Sequence, residues 1–244
     1  MDQAFETKYH DVETSHWWFK SRRKYLLDLL ADAPRDSRIL DIGSSSGVFL
    51  KDLELQGFDI DKLYGIDISD SAIANCKANG IKNAFVMDAQ NITLSEKFDI
   101  IVASDCLEHL QNDRLAIRNW KNLLKSGGLL YVFVPAYKSL WSYHDDINMH
   151  FRRYTKRELK SKLTAEDFSI KKSSYWNFTL FIPIFAFRKI NAGSKKNRNS
   201  ESDLSIQNSF LNNVLFKLLS FENQLLRYVN FPFGISTFCI AKKE

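Results

Sequence analysis

The chain has 244 residues, of which 45% are hydrophobic and 14% aromatic. This composition supplies a full apolar core and excludes a largely disordered protein. The net charge of +5 is mildly basic and fits a soluble enzyme, so no nucleic acid partner is expected, and three scattered cysteines predict neither a disulfide framework nor a metal site.

The N-terminal 36 residues are predicted to form a helical cap. Apolar side chains recur at three-to-four spacing from His16 to Leu30, and Pro34 ends the helix. The opening residues lack the pattern of a signal peptide. The most apolar run, Phe178 to Phe187, is about half of the roughly 20 residues needed to span a bilayer. A cytoplasmic protein with reduced thiols is therefore expected.

From Ser37 onward, β-rich runs alternate with helical patterns. Strands are predicted at residues 37–42, 62–67, 83–87, 98–103 and 129–134, with helices at 48–56, 71–79 and 113–124. This alternation indicates βαβ units and a parallel sheet. The fold class is therefore α/β.

The pattern changes after Pro135. Residues 137–154 are rich in aromatic, histidine and charged side chains without a clear period, and we expect a long loop. Thr155 and Glu158 are spaced as a capping box, which predicts another helix. Two further strands are predicted at 168–174 and 235–241, and a polar stretch at 191–203 is expected to be mobile. The predicted divisions are a cap (1–36), a core (37–175), a helical, aromatic insertion (176–230) and a final strand (231–244).

The strongest functional signal lies between the first strand and the first helix, at Asp41-Ile42-Gly43-Ser44-Ser45-Ser46-Gly47. Small residues there let the backbone turn sharply and approach a ligand, and amides of the following helix point into the same space. A dinucleotide site would instead have the pattern G-x-G-x-x-G. An acid two residues before the first glycine suits a cationic group, such as the amine of a methionyl moiety.

This segment resembles the first motif of class I S-adenosylmethionine-dependent methyltransferases, commonly D/E-x-G-x-G-x-G, with Ser45 in place of the middle glycine. Matching segments follow later strands in the family's order and cover about residues 37 to 135. The flanks, including His16-Trp17-Trp18-Phe19, resemble a bacterial subgroup (types 11, 12 and 23). The resemblance implies a Rossmann-like, doubly wound and mostly parallel sheet with a reversed final strand and a helical insertion before it.

The resemblance also implies S-adenosylmethionine as the cofactor and S-adenosylhomocysteine as the product. Asp67, at the end of the second strand, would accept hydrogen bonds from both ribose hydroxyls, and Asp88 would meet the adenine amine. The predicted cofactor residues are Asp41, Gly43, Ser44, Ser45, Gly47, Asp67, Ile68, Asp88, Ala89 and Asp105.

The acceptor is left open by the sequence. His109 is the candidate general base, because it follows the fourth strand near the expected methyl group and the reference pKa of histidine is about 6.5. His144 and His150 on the loop after the fifth strand are rival candidates, and a histidine bonded within its own helix is the structural alternative for His109. The loop after the fifth strand would border the methyl group, and its mixture of apolar faces and cations suits a small anionic, glycosylated or lipid-linked acceptor. The predicted acceptor contacts are Tyr137, Trp141, His144, His150, Arg152 and Arg153.

Other interpretations stay open. The aromatic segment 176–190 could contact a membrane surface, cover a hydrophobic acceptor, form a homodimer contact or belong to the core. An NAD-type oxidoreductase shares the fold, but the missing third glycine counts against it. A non-catalytic S-adenosylmethionine-binding protein would keep the pocket and lack an acceptor site.

Overall fold

The computed structural model describes residues 12–191 and 208–244, and a seven-stranded sheet lies at its centre, in the order β3-β2-β1-β4-β5-β7-β6. The first five strands pair in parallel, whereas β7 lies antiparallel between β5 and β6. The predicted mostly parallel sheet with a reversed final strand is confirmed. The strands are β1 (Ile39–Ile42), β2 (Leu63–Asp67), β3 (Asn83–Val86), β4 (Phe98–Ser104), β5 (Leu124–Pro135), β6 (Phe168–Trp176) and β7 (Ser236–Lys243).

Helices cover both faces of this sheet. Each face of the sheet has its own apolar core. One core is packed by the helices α1, α2, α3 and α8, and the other by α4 and α6. Successive side chains of β4 point to opposite faces of the sheet and so enter different cores. Ile100 and Val102 lie in the first core, and Ile101 and Ala103 lie in the second. The helices are α1 (Trp17–Leu29), α2 (Val48–Leu55), α3 (Asp70–Ala78), α4 (Asp113–Leu123), α5 (Tyr143–Ile147), α6 (Lys156–Ala165), α7 (Phe181–Asn191) and α8 (Ser209–Leu225).

Two predictions about the chain after β4 were wrong. The fifth strand begins at Leu124 rather than residue 129, because Leu124 pairs with Phe98 across a register shift in β4. The segment 137–154 is not a continuous loop, since it contains a 3-10 turn (Lys138–Leu140) and α5. A capping box of Ser142 and Asp145 starts α5. Its acid is Asp rather than the Glu or Gln of the usual pattern, and the five-residue helix is too short to show a period.

The cap and the insertion pack against each other on one face of the sheet. The backbone amide of Trp17 donates to Asn212 Oδ1 of α8 at 2.8 Å, and Asn223 Nδ2 donates to the carbonyl of Ser21 at 3.0 Å. The insertion is helical in its described parts, as predicted, and nearly all of the polar stretch 191–203 lies outside the described residues. Helix α1 of the cap and helix α8 of the insertion therefore form one layer on this face of the sheet.

Within the described residues, none of the helices combines the length and the apolar character needed to cross a bilayer.

Candidate active site

A cavity of about 1200 Å³ opens at the edge of the sheet where the parallel strands end. Its walls come from the residues after β1, β2, β3 and β4, from the start of α1, and from α7. Ligands of open α/β sheets bind at this edge, because the loops leaving adjacent strands diverge there. The cavity is therefore the candidate active site.

The loop after β1 has the backbone geometry of a ligand-binding turn. Gly43, Ser45 and Gly47 all adopt positive φ angles, of 76°, 50° and 76°. Ser45 thus takes a left-handed conformation in the place where related motifs often have glycine. Its amide donates to Asp67 Oδ2 at 3.0 Å, and its hydroxyl donates to Glu13 Oε2 at 3.1 Å. Hydrogen bonds on both sides therefore hold the serine in this conformation.

Three carboxylates lie near this loop. Burial, together with the neighbouring charges of Glu13 and Asp67, raises the pKa of Asp41 to about 8. Asp41 is only 6% exposed. Because clustered acids repel one another, a cationic ligand group would relieve the repulsion. The residues present thus fit a cofactor that carries a sulfonium and an ammonium.

The acids predicted to hold the nucleoside are oriented by the backbone. Asp67 Oδ1 accepts a hydrogen bond from the amide of Ser69 at 3.0 Å, and Asp88 Oδ1 accepts one from Gln90 at 2.8 Å. Ile68 also lines the cavity and is 72% exposed. A large apolar side chain left uncovered beside a carboxylate suits the flat face of a base.

The predicted cofactor residues separate into two groups. The loop-shaping group lies outside the cavity lining: Asp41 is buried, Ser44 Oγ lies 3.6 Å from Cys76 Sγ, and a Cβ on Gly47 would come within 2.8 Å of the same sulfur. The structure brings the other group together along the cavity: Gly43, Ser45, Asp67, Ile68, Asp88, Ala89 and Asp105.

Asp105 connects the cavity to the cap. Arg22 of α1 is buried, and its guanidinium donates to Asp105 Oδ2 at 3.1 Å and to Ser236 Oγ at 3.0 Å. The same guanidinium lies 4.2 Å from the ring centroid of Trp176, where a cation–π contact stabilises it. Arg22 thus fixes α1 over the ends of β4 and β7.

Three histidines near the end of β4 and around α5 also line the cavity. The rings of His109 and His150 lie 4.6 Å apart, and that of His144 lies 6.5 Å from His150. Burial, together with the neighbouring His150, lowers the pKa of His109 to about 3. His109 is therefore a neutral imidazole.

Glu108 is a cavity residue that the sequence reasoning did not select. It is 1% exposed, and burial, with nearby Asp105, raises its pKa well above the usual range. Its position next to His109 at the end of the fourth strand was the available signal. A carboxylate buried at the ligand edge of a sheet is a candidate for function.

Arg153 lines the cavity but has protein partners for its guanidinium. Nε and Nη2 donate to the two oxygens of Asp145 at 2.7 and 3.0 Å, and Nη1 donates to the carbonyl of Ala136. Asp145 Oδ1 also lies 2.9 Å from His150 Nδ1. The buried Asp145 carboxylate, which no sequence pattern marked, thus orients two of the predicted acceptor contacts.

The other predicted acceptor contacts lie outside the cavity lining. Tyr137 stacks on Tyr175 at 5.1 Å, and Trp141 Nε1 donates to Asp146 at 2.9 Å. Arg152 pairs with Asp113 at 2.8 Å. The structure therefore brings His109, His144, His150 and Arg153 together, and leaves these three residues in supporting positions.

Comparisons with known proteins agree with this geometry. A profile of the methyltransferase domain family matches residues 15–173, more than half of the chain. The ubiquinone biosynthesis O-methyltransferase of Glaesserella parasuis serovar 5 (strain SH0165) is 31% identical over 106 residues, which are 39% of this chain and 44% of that protein. The chain thus spans about half the length of the curated relatives that it matches.

Solved structures share the fold. The N-methyltransferase NodS from Bradyrhizobium japonicum WM9, in complex with S-adenosylhomocysteine, has a TM-score of 0.55 and 22% identity, over 68% of this chain and 82% of that one. A magnesium protoporphyrin IX methyltransferase from Synechocystis PCC 6803, with bound S-adenosylmethionine, has a TM-score of 0.55 and 14% identity, over 92% and 79%. The chain belongs to the class I S-adenosylmethionine-dependent methyltransferase family, and S-adenosylmethionine is its cofactor.

Proposed function

We propose that the chain transfers the methyl group of S-adenosylmethionine to a hydroxyl oxygen of an acceptor that has an apolar portion. The observation that carries this proposal is the change in character along the cavity, from acids at the strand ends to apolar side chains beside α7. The O-methyltransferase named among the relatives supports an oxygen acceptor. An anionic, glycosylated or lipid-linked acceptor remains within this class.

At the cofactor end, the chain supplies position and charge. S-adenosylmethionine supplies the activated methyl group. Asp67 would hold the ribose hydroxyls and Asp88 the adenine amine, and the buried Asp41, behind the cavity lining, would favour the positive charge of the methionyl amine. Trp17 and Trp18 also line the cavity, and we infer that their indoles help to exclude water from the bound cofactor.

At the acceptor end, large apolar side chains are left uncovered. Met149 is 56% exposed, Phe151 55% and Phe187 60%, and all three line the cavity. Exposed apolar surface of this extent, in the wall of a cavity, fits a ligand with an apolar portion. We infer that these side chains cover the acceptor's hydrophobic part while its hydroxyl faces the cofactor.

The hydroxyl proton has to leave as the new carbon–oxygen bond forms and the carbon–sulfur bond breaks. His109 lies at the acceptor end of the cavity, where the sequence placed a candidate base. Its role in proton removal stays a prediction. His109→Gln, which replaces the imidazole with a polar side chain of similar size that is not a base, separates proton removal from packing.

The exposed faces of α7 and α8 support a peripheral contact with an anionic membrane. Ile182 of α7 is 66% exposed and Phe210 of α8 is 76% exposed, and α7 ends with the basic pair Arg188 and Lys189. Apolar side chains beside cations suit the interface of such a membrane. Sedimentation with vesicles that contain phosphatidylglycerol tests this, and Ile182→Asp should weaken binding. A concentration-dependent dimer without vesicle binding would favour the homodimer contact instead.

The activity is tested by transfer of a radiolabelled methyl group. The wild-type protein is incubated with labelled cofactor and with hydroxylated aromatic compounds with and without an alkyl tail. We expect label in the tailed compounds and less in the tailless ones. Label confined to amines would contradict an oxygen acceptor, and cofactor binding with no transfer to any compound class would favour a non-catalytic binding protein.

A further inference from the structure

Glu108, His109 and His150 converge at the acceptor end of the cavity. One ligand atom of each lies within 4.8 Å of the others. Glu108 and His109 belong to the 3-10 turn that follows β4, and His150 follows α5. Two elements separated by about forty residues thus place a carboxylate and two imidazoles around one point in the cavity wall.

The carboxylate in this cluster has an unused oxygen. Glu108 Oε2 is buried and has no hydrogen-bond partner among the described residues. A buried acceptor without a partner is unfavourable, and most such groups in folded proteins have one. Because Glu108 is 1% exposed and lines the cavity, a bound ligand can satisfy this oxygen.

One of the two imidazoles already has a partner on the protein. His150 Nδ1 lies 2.9 Å from Asp145 Oδ1, whereas the backbone of Asn148 is near enough to His109 to favour a higher pKa of its ring. When one ring nitrogen donates to a carboxylate or a carbonyl, the other nitrogen presents its lone pair. Metal-binding histidines have this arrangement almost without exception, because it fixes the tautomer and the ring orientation.

The Asp145 carboxylate is itself held in place. Arg153 donates to both of its oxygens, and the amide of Ser142 donates to Oδ2 at 2.8 Å. The side chain of Asp145 is fully buried. His150 is therefore oriented by a group that has no freedom to move, which is what a rigid metal site requires.

We propose that Glu108, His109 and His150 bind one divalent transition-metal ion, with Zn²⁺ as the best match. Two imidazoles and one carboxylate are the protein ligands of a known class of catalytic zinc site, in which the remaining position stays open. The spacing of the cysteines, which predicted no metal site, carries no information about a ligand set of histidine and glutamate. In this proposal His109 is a metal ligand, and this role replaces the predicted role of general base.

An ion at this position would bind the acceptor hydroxyl and lower its pKa, so that the proton leaves without a basic side chain. This role rests on the proposed transfer to oxygen. Metal binding itself does not, because its ligands are residues of this chain. The two claims can therefore fail separately.

The test is calorimetric titration of the full chain with ZnCl₂ after chelator treatment and dialysis, with metal content measured by mass spectrometry. We expect one zinc per chain. Glu108→Gln and His150→Asn should each weaken zinc affinity by about tenfold or more, because even the loss of a residue that only orients a metal ligand typically weakens binding to that extent. His144→Asn is the matched control, since it removes a cavity imidazole outside the cluster, and it should bind zinc like the wild type.

Folding is checked by circular dichroism and by S-adenosylhomocysteine binding, which all three variants should keep. Absence of zinc binding to the wild type would overturn the proposal, as would equal affinity in Glu108→Gln, His150→Asn and His144→Asn. Zinc binding without methyl transfer to any hydroxyl would refute the proposed function and leave the metal site standing.

Discussion

At the cofactor end of the cavity, the polar groups come from strand ends and from the loop after β1, whereas at the acceptor end they come from segments that only folding brings together. Asp67 and Asp88 follow consecutive strands, so their order along the chain is also their order along the sheet. His150 lies beside His109 because a short helix, α5, and the buried ion pair of Asp145 and Arg153 hold it there. The residues of the cofactor end can therefore be predicted from local sequence, whereas the arrangement of the acceptor end depends on tertiary contacts.

The largest expected effect concerns the buried pair at the acceptor end. Asp145→Ala leaves the Arg153 guanidinium without its carboxylate in a buried site, and removing one partner of such a pair costs about 3–5 kcal/mol of unfolding free energy. Urea denaturation monitored by circular dichroism measures this change.

The adjacent exposed acid is the matched control for that substitution. The exposed Asp146 side chain accepts a hydrogen bond from Trp141 Nε1, and Asp146→Ala should change the unfolding free energy by about 0.5 kcal/mol or less. If the two variants were equally stable, the buried ion pair would not support the acceptor end.

The next effect concerns the cofactor end. Asp67→Ala removes an acceptor of hydrogen bonds from the ribose and from the amide of Ser45, and should weaken S-adenosylhomocysteine binding by about 1.5–3 kcal/mol. Titration calorimetry measures the affinity. Asp61→Ala, at an exposed acid outside the cavity lining, should bind like the wild type. Normal binding by Asp67→Ala would show that β2 does not end at the cofactor.

The pH dependence of stability tests the acid cluster. The folded-state pKa of Asp41, raised to about 8, exceeds its unfolded value, so the folded protein holds a proton that the unfolded chain releases. This contribution to stability is fully present below pH 4 and is lost as the pH rises towards 8. Asp41→Asn should flatten that slope in urea denaturation series. An unchanged slope would contradict the raised pKa.

The smallest effect concerns Arg152, which was predicted from the sequence as an acceptor contact. Its partner Asp113 is also paired with Lys162 at 2.9 Å, and the Arg152 side chain is 28% exposed. Arg152→Ala should therefore lower stability by about 1 kcal/mol or less. Lys162→Ala is the control and should behave alike. If Arg152→Ala alone lowered the rate of methyl transfer at saturating cofactor, the prediction that Arg152 contacts the acceptor would be supported.

The sequence predicts the elements whose signals are local. The alternation of strands and helices predicted the parallel sheet. The acid and the small residues from Asp41 to Gly47 predicted a ligand-binding loop, which has positive φ angles in the structure. Sequence reasoning did not find α5 or Asp145, because a five-residue helix has no period and a buried acid looks like a surface acid in sequence. Glu108 was passed over because its burial depends on distant segments.

Calorimetric titration of the wild-type chain with S-adenosylhomocysteine, with NAD as the comparison ligand, tests the assignment of the cofactor cavity most directly. We expect one site per chain with micromolar affinity, on the order of −8 kcal/mol, and no heat from NAD. Heat from NAD, or none from S-adenosylhomocysteine at saturating concentration, would contradict it.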